Sequence, residues 1–475
     1  MTTRQTPLNI SSAVSSSQDQ SSKRGWAAIL GLVSLTAMAM VGAGSILRPL
    51  IVLDSLAVGV FLYRRYPILY AGFTWWLWLL SPFVGRVIDY RSSFDPLRLL
   101  LLSQYLVTLI TLHTFLKHLP KVSRQDGLPF VLAFFGVIYG FLVGLINTSP
   151  ITAFRGLLDW LTPVPFGFYL FINWRDYPDY RQNIQRVFLW GVLVTGAYGV
   201  LQYLLVPEWD RFWLISTKLT SFGDPVPFKL RIWSTMPSPG PFAVMMMTGL
   251  LLLFTSKEAL RIPAAGAGYL AFLLTMVRTL WGAWFLGLLI LMASLKVHLQ
   301  MRLIVTILMM AVCVVPLVLV EPFDTTITTR LQTLSNLEND DSANVRKGIY
   351  ERGLNSALTN GLGNGIGNTF IVKDGKLEPV VIDSGILDMF FTLGWFGAVL
   401  YLGGLLLLLY NILQYSEYRF DPFMAAARAI SISCFMILPG GSAMLGFSGA
   451  VLWGFLGIVI AGHKYHQHQR TTKLD

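Results

Sequence analysis

Five arginines occupy positions where a guanidinium could grip an anion at a membrane surface: Arg155, Arg231, Arg278, Arg346 and Arg352. Arg155 stands in Ala-Phe-Arg-Gly-Leu-Leu-Asp-Trp, and Arg231 heads Arg-Ile-Trp-Ser-Thr-Met-Pro-Ser-Pro-Gly-Pro. Arg278 parts two apolar runs in Thr-Met-Val-Arg-Thr-Leu-Trp-Gly-Ala-Trp, while Arg346 and Arg352 fall in a long polar loop. A cation at membrane depth is costly unless it is paired or lines a wet cavity. The planar guanidinium fork matches phosphate oxygens bidentately, so several arginines converging on one face would suit an anionic lipid diphosphate. The plainer alternative is interfacial snorkelling with local pairing, for instance Arg155 with Asp159 one helical turn on. The sequence leaves both open.

The elements that must position these arginines are membrane helices. The chain has 475 residues, 54% hydrophobic and only 13% charged. That excludes a soluble globular enzyme and fits an all-α polytopic membrane protein. The apolar runs are continuous, whereas barrel strands would alternate. A net charge of +11 is spread through short inter-helix loops, where it fits topology and anionic headgroups and not nucleic acid. Candidate spans lie at 26–42, 45–63, 67–84, 97–117, 127–146, 155–173, 185–206, 239–256, 262–277, 279–295, 301–320, 384–413, 422–438 and 443–462, about 12–14 helices in all. Lysine and arginine in the short loops then fall on one side, with both termini cytoplasmic and the loops at 85–96, 207–238 and 321–383 facing outward. Residues 1–25 read as a disordered cytoplasmic N-terminus, 26–320 as the first eleven spans, 321–383 as an extracytoplasmic loop, 384–462 as three further spans and 463–475 as a cytoplasmic tail.

Within the long loop, Val345, Ile349, Leu354 and Leu358 predict a short amphipathic helix over 343–359, capped by Ser342 or Asn344. Gly361, Gly363, Gly365 and Gly367 follow; their spacing is not that of a nucleotide fingerprint, and they read as a tight turn or a flexible loop. Glu351, Asp374 and Glu378 are candidates for acceptor binding, or ordinary solvated acids. Trp281 and Trp284 beside Arg278, with Tyr350, could line a substrate groove, although tryptophans also suit interface belts. Cys313 and Cys434 lie in apolar runs and read as core thiols, and His463, His466 and His468 as part of a solvated tail.

Four segments together resemble the O-antigen ligase / O-antigen polymerase (Wzy-like) family of bacterial membrane glycosyltransferases. They are Arg231 with 237–241 and Ala243, residues 275–284 around Arg278, the glycine run 360–368, and Asp383-Ser384 followed by Leu387 and Gly394-Trp395-Phe396-Gly397. The resemblance covers about residues 230–400. It implies a GT-C-like enzyme of the bacterial plasma (inner) membrane, working without a cofactor, metal or nucleotide sugar. Such an enzyme transfers a sugar chain from a polyprenyl-diphosphate-linked donor to a glycan or lipid acceptor, with the lipid bilayer and other polysaccharide-assembly membrane proteins as its further partners. The arginines would hold the diphosphate. Where the ligases place a histidine, this chain has Asp383, which could serve as general base or simply favour a helix N-terminus. That departure favours a polymerase over a ligase. The competing expectation is a transporter of a small anion such as bicarbonate, which should show repeated halves and broken helices.

Overall fold

The computed structural model describes residues 10–122, 127–297, 358–368, 370–373, 376–379 and 384–472, with isolated positions (300, 301, 304, 305, 307, 308, 354 and 382) between them. In chain order the helices are α1 (Ile10–Met38), α2 (Gly44–Arg65), α3 (Pro67–Arg91), α4 (Leu102–Leu109), α5 (Thr111–Val122), α6 (Leu128–Asn147), α7 (Pro150–Leu161) and α8 (Pro163–Ile172). They continue as α9 (Tyr177–Leu205), α10 (Glu208–Thr217), α11 (Pro239–Leu253), α12 (Arg261–Leu274), α13 (Arg278–Ser294), α14 (Gly385–Gln414), α15 (Pro422–Ile437) and α16 (Gly446–Thr471). Eight helical segments are long and apolar enough to cross a membrane among the described residues, and α11, α12, α13 and α15 are shorter apolar helices. The chain is thus a helical, multi-pass membrane protein.

Three expectations shift. The first helix begins at Ile10, inside the segment read as disordered. The span expected at 155–173 is two helices, because Pro163 opens a new helix directly after Thr162. The last helix runs on to Thr471, so the histidine-bearing tail is largely helical. The expected span at 301–320 and most of the amphipathic helix at 343–359 lie outside the described residues. A two-stranded antiparallel hairpin, β1 (Phe370–Lys373) and β2 (Lys376–Pro379), pairs Phe370 with Pro379 and Lys373 with Lys376.

α16 is the innermost helix, buried at every residue from Gly446 to Gly462. Small residues let backbones touch, the usual device where lipid removes the hydrophobic drive between helices. On α6 and α14, a Cβ on Gly136 would stand 2.6 Å from the Gly397 carbonyl oxygen. The glycine run uses the same device more strictly. Helix α14 is interrupted at Gly394 (φ 65°), and residues 361–366 thread against the break and against α6. Asn364 N donates to Phe391 O (2.8 Å), Gly365 N to Thr392 O (3.0 Å) and Ile366 N to Gly140 O (2.9 Å), while Trp395 N donates to Gly361 O (2.9 Å). The carbonyls freed by the break are thereby satisfied. Gly365 has φ +86°, and a Cβ there would lie 2.3 Å from Gly144 N. The run is a backbone wedge between helices, where the sequence suggested a tight turn or a flexible loop. Gly365→Ala adds left-handed strain to overpacking and should destabilise the protein by about 1–3 kcal/mol. A melting curve in detergent no different from wild type would contradict that placement.

One end of the bundle is tied by carboxylates and the α16 histidines. Asp421 caps α15, accepting from Phe423 N (3.0 Å) and Met424 N (3.2 Å), and also meets His466 Nε2 at 3.1 Å and Arg181 Nη1 at 3.2 Å. Glu417 Oε2 meets His463 Nδ1 at 2.9 Å, and the His463 ring stacks on Tyr415. These histidines are structural ties and not solvated tail. Burial raises both carboxyls, but the histidine hydrogen bonds and the neighbouring cation and backbone donors outweigh it, leaving Glu417 and Asp421 below their ordinary range. A depressed folded value contributes stability that is present above the unfolded value and lost as pH falls through the folded one. Asp421→Asn keeps the cap but removes the charge. We expect a loss of about 1.5–3 kcal/mol at neutral pH, shrinking below about pH 4 as the wild-type carboxylate protonates. A loss independent of pH would contradict the role of the charge.

Candidate functional site

The opposite end is distinguished by its backbone. The six non-glycine residues with left-handed φ among the described residues are Arg98 (50°), Val206 (45°), Lys218 (55°), Phe228 (67°), Ser234 (52°) and Met276 (55°). Contacts join them in one region: Phe228 N donates to Tyr203 O, Ser234 N to Gln202 Oε1, and Ile232 N to Leu274 O just ahead of Met276. Arg98 lines a cleft together with Trp213 and Pro237. Such conformations persist only where surrounding structure enforces them, and they concentrate at functional sites.

Ser234 among them is held by a buried polar network centred on Arg86, in the last turns of α3. Arg86 is 2% exposed and its partner Asp210, on α10, is 0% exposed. Arg86 Nε donates to Asp210 Oδ1 at 2.7 Å, and its other two nitrogens donate to the carbonyls of Met236 (2.8 Å) and Ser234. The second Asp210 oxygen accepts from Tyr198 (2.6 Å) and Gln202 (2.8 Å) on α9. Gln202 in turn accepts from the N–H groups of Trp233 (3.0 Å) and Ser234 (2.8 Å). Arg86 and Gln202 thus hold the irregular segment after Arg231, and Asp210 anchors both. Arg86 also lies 5.9 Å from the Trp213 ring centre and 5.8 Å from that of Trp233.

On this frame two of the arginine segments meet. Arg231 Nε donates to Thr275 O at 3.2 Å and Nη1 to Ser221 O at 3.5 Å, so Arg231 rests on the turn that leads into Arg278. Arg278 opens α13 and is half-buried. Next to it, a side chain on Gly440 would meet the Thr279 methyl, and Gly441 O accepts from Gly385 N (3.2 Å) at the start of α14. Ser384 caps α14 through Leu387 N. Asp383, Arg346, Arg352 and Tyr350 lie outside the described residues. Trp281 and Trp284 face α12: Trp281 Nε1 donates to Phe272 O (3.2 Å) and Trp284 packs edge-on to Tyr269. These contacts join α13 to α12.

Arg155, exposed on α7, makes no ion pair among the described residues. The expected partner Asp159 instead accepts from Tyr105 OH, beside Gly446. Burial lowers the Arg98 guanidinium, Arg155's charge lowers it further, and Asp89 opposes both. Arg98 lies over the Trp213 ring at 5.3 Å. Asp89 is paired with Arg48 at 2.8 Å.

Sequence reasoning missed Arg48, Arg86, Asp89, Arg98, Asp210 and Gln202. A signal existed, since Arg86 and Asp89 continue the helical spacing of the span ended at residue 84. The chain matches no known family model, and no curated protein matches it.

Proposed function

We propose that this chain is a glycosyltransferase of the Wzy-like kind. It acts on polyprenyl-diphosphate-linked oligosaccharide at the outer face of a bacterial plasma membrane during surface-polysaccharide synthesis, with both termini cytoplasmic. The observation that carries this reading is the Arg231–Thr275 contact, which joins the two arginine segments that suggested the family, next to the start of α14. Arg231 and Arg278, with Arg155, Arg346 and Arg352, hold the diphosphate and stabilise its charge as it leaves. Asp383, two residues ahead of α14, takes the proton of the acceptor hydroxyl. That oxygen then bonds the anomeric carbon, the bond from this carbon to the diphosphate breaks, and polyprenyl diphosphate departs. Lengthening a glycan suits this chain better than ligation, because Asp383 stands where ligases carry histidine.

Anion transport is the second reading, and the break in α14 at Gly394 favours it. Against it, the carbonyls of Phe391 and Thr392 at that break are taken by the glycine run. The length of surface polysaccharide in a deletion strain tests both. Single repeat units accumulating in the strain, and again when it carries Arg278→Ala or Asp383→Ala at matched expression, support polymerisation. Long chains that stay on the carrier indicate ligation. Normal glycan throughout contradicts both and leaves transport.

A further inference from the structure

The end of the bundle tied by the α16 histidines keeps two cations without a counter-ion. Arg428 stands about two turns into α15, on a stripe it shares with Ile432, Phe435 and Met436. Those three are partly or fully exposed, whereas Ala427, Ala429 and Ile430 beside them are buried, so the stripe is the face of α15 turned to lipid. Arg428 makes no ion pair among the described residues, and its Nε is buried without a hydrogen-bond partner. Its guanidinium carbon lies 4.1 Å from the centre of the Tyr418 ring. Such a stack engages the flat face of the guanidinium, while its N–H donors point outward in the plane.

Arg419 joins it. Exposed in the short turn between α14 and α15, Arg419 holds the Tyr418 phenol below its ordinary range, and Arg428 adds to that effect against slight burial. Two guanidiniums therefore converge on one hydroxyl. The carboxylates nearby are already engaged. Glu417 meets His463 and Arg470 (3.5 Å), and Asp421 meets Arg181, His466, Tyr177 (2.9 Å) and the first N–H groups of α15. Neither arginine forms an ion pair with them among the described residues.

A converging pair of guanidiniums at the end of a lipid-facing stripe suits a phosphate group at headgroup level. A phospholipid brings that group together with acyl chains, which would lie along Ile432, Phe435 and Met436. No enclosed cavity is required, because the site opens sideways to the bilayer. We propose that Arg428 and Arg419, with Tyr418 between them, bind the phosphate of an anionic phospholipid in the leaflet at this end of the bundle. The proposal stands apart from the glycan reading.

The test titrates purified full-length protein in neutral detergent with phosphatidylglycerol, phosphatidylcholine and glycerol phosphate, counting bound molecules by native mass spectrometry. Phosphatidylglycerol should bind about tenfold more tightly than phosphatidylcholine, the scale of two arginines near an anionic headgroup. Glycerol phosphate, which carries the anion without the chains, should bind at least about tenfold more weakly than phosphatidylglycerol. Arg428→Gln should erase the preference for the anionic lipid, and Arg428→Lys should restore part of it. Arg419→Gln, at an exposed position, should cut it to about threefold and decides the matter if Arg428→Gln does not fold. Arg65→Gln removes the same charge at the exposed end of α2 and should leave the preference intact. Equal affinity for the two lipids, or a preference unchanged in the Arg428→Gln or Arg419→Gln variant, overturns the proposal. So does an equal loss in Arg65→Gln, which would show bulk charge alone. Glycerol phosphate binding as tightly as phosphatidylglycerol would mark a site for soluble phosphate and overturn the lipid assignment.

Discussion

Arg86→Ala should destabilise the protein by about 3–5 kcal/mol, the usual cost of stripping one partner from a buried ion pair. The deletion leaves Asp210 charged and 0% exposed, with only Tyr198 and Gln202 to satisfy it, and frees the carbonyls of Ser234 and Met236. Much of that cost is the orphaned charge and not the pair's own worth, so Arg86→Met with Asp210→Leu should recover a large part of it. The double variant would still lack the Arg86 grip on the carbonyls of Ser234 and Met236, and Gln202 would lose its Asp210 partner, so stability should return without full function. Denaturant unfolding in detergent measures both. A single variant as stable as wild type would mean that the network does not hold the strained segment.

Arg278→Ala should lower turnover by about 10²–10³-fold, the scale seen when one preorganised donor to a developing anion is removed. Arg278 stands at the first residue of α13, so alanine there disturbs no helix interior. Arg278→Lys keeps the charge but loses the bidentate fork, and it should fall between the two. Arg231→Ala should act on turnover and on stability together, because Arg231 also ties its segment to Thr275 and Ser221. Turnover in Arg278→Ala equal to wild type, at matched stability, would remove Arg278 from the site.

Continuous hydrophobic runs made the spans legible: 127–146 was read where Leu128–Asn147 forms, and 45–63 where Ile46–Arg65 forms. The irregular end was legible only in part. Arg231 and Arg278 were visible because each interrupts an apolar context, but their meeting through Thr275 joins positions far apart in the chain. Arg86 was hidden for the same reason, since Asp210, Ser234 and Met236 come from other elements and nothing local marks them as its partners. The glycines at 363, 365 and 367 gave their conformation away but not their partners, because a close backbone approach leaves no side-chain pattern on the helix it meets. The break between α7 and α8 was legible in Pro163 and was overridden by the apolar composition around it.

The most direct measurement reconstitutes the purified protein in vesicles with polyprenyl-diphosphate-linked repeat units, following glycan length and released polyprenyl diphosphate together. The account predicts longer glycans with one polyprenyl diphosphate freed per bond formed, both lost in Arg278→Ala. Wild-type protein that lengthens nothing, or an Arg278→Ala variant that lengthens as well as wild type, would contradict it.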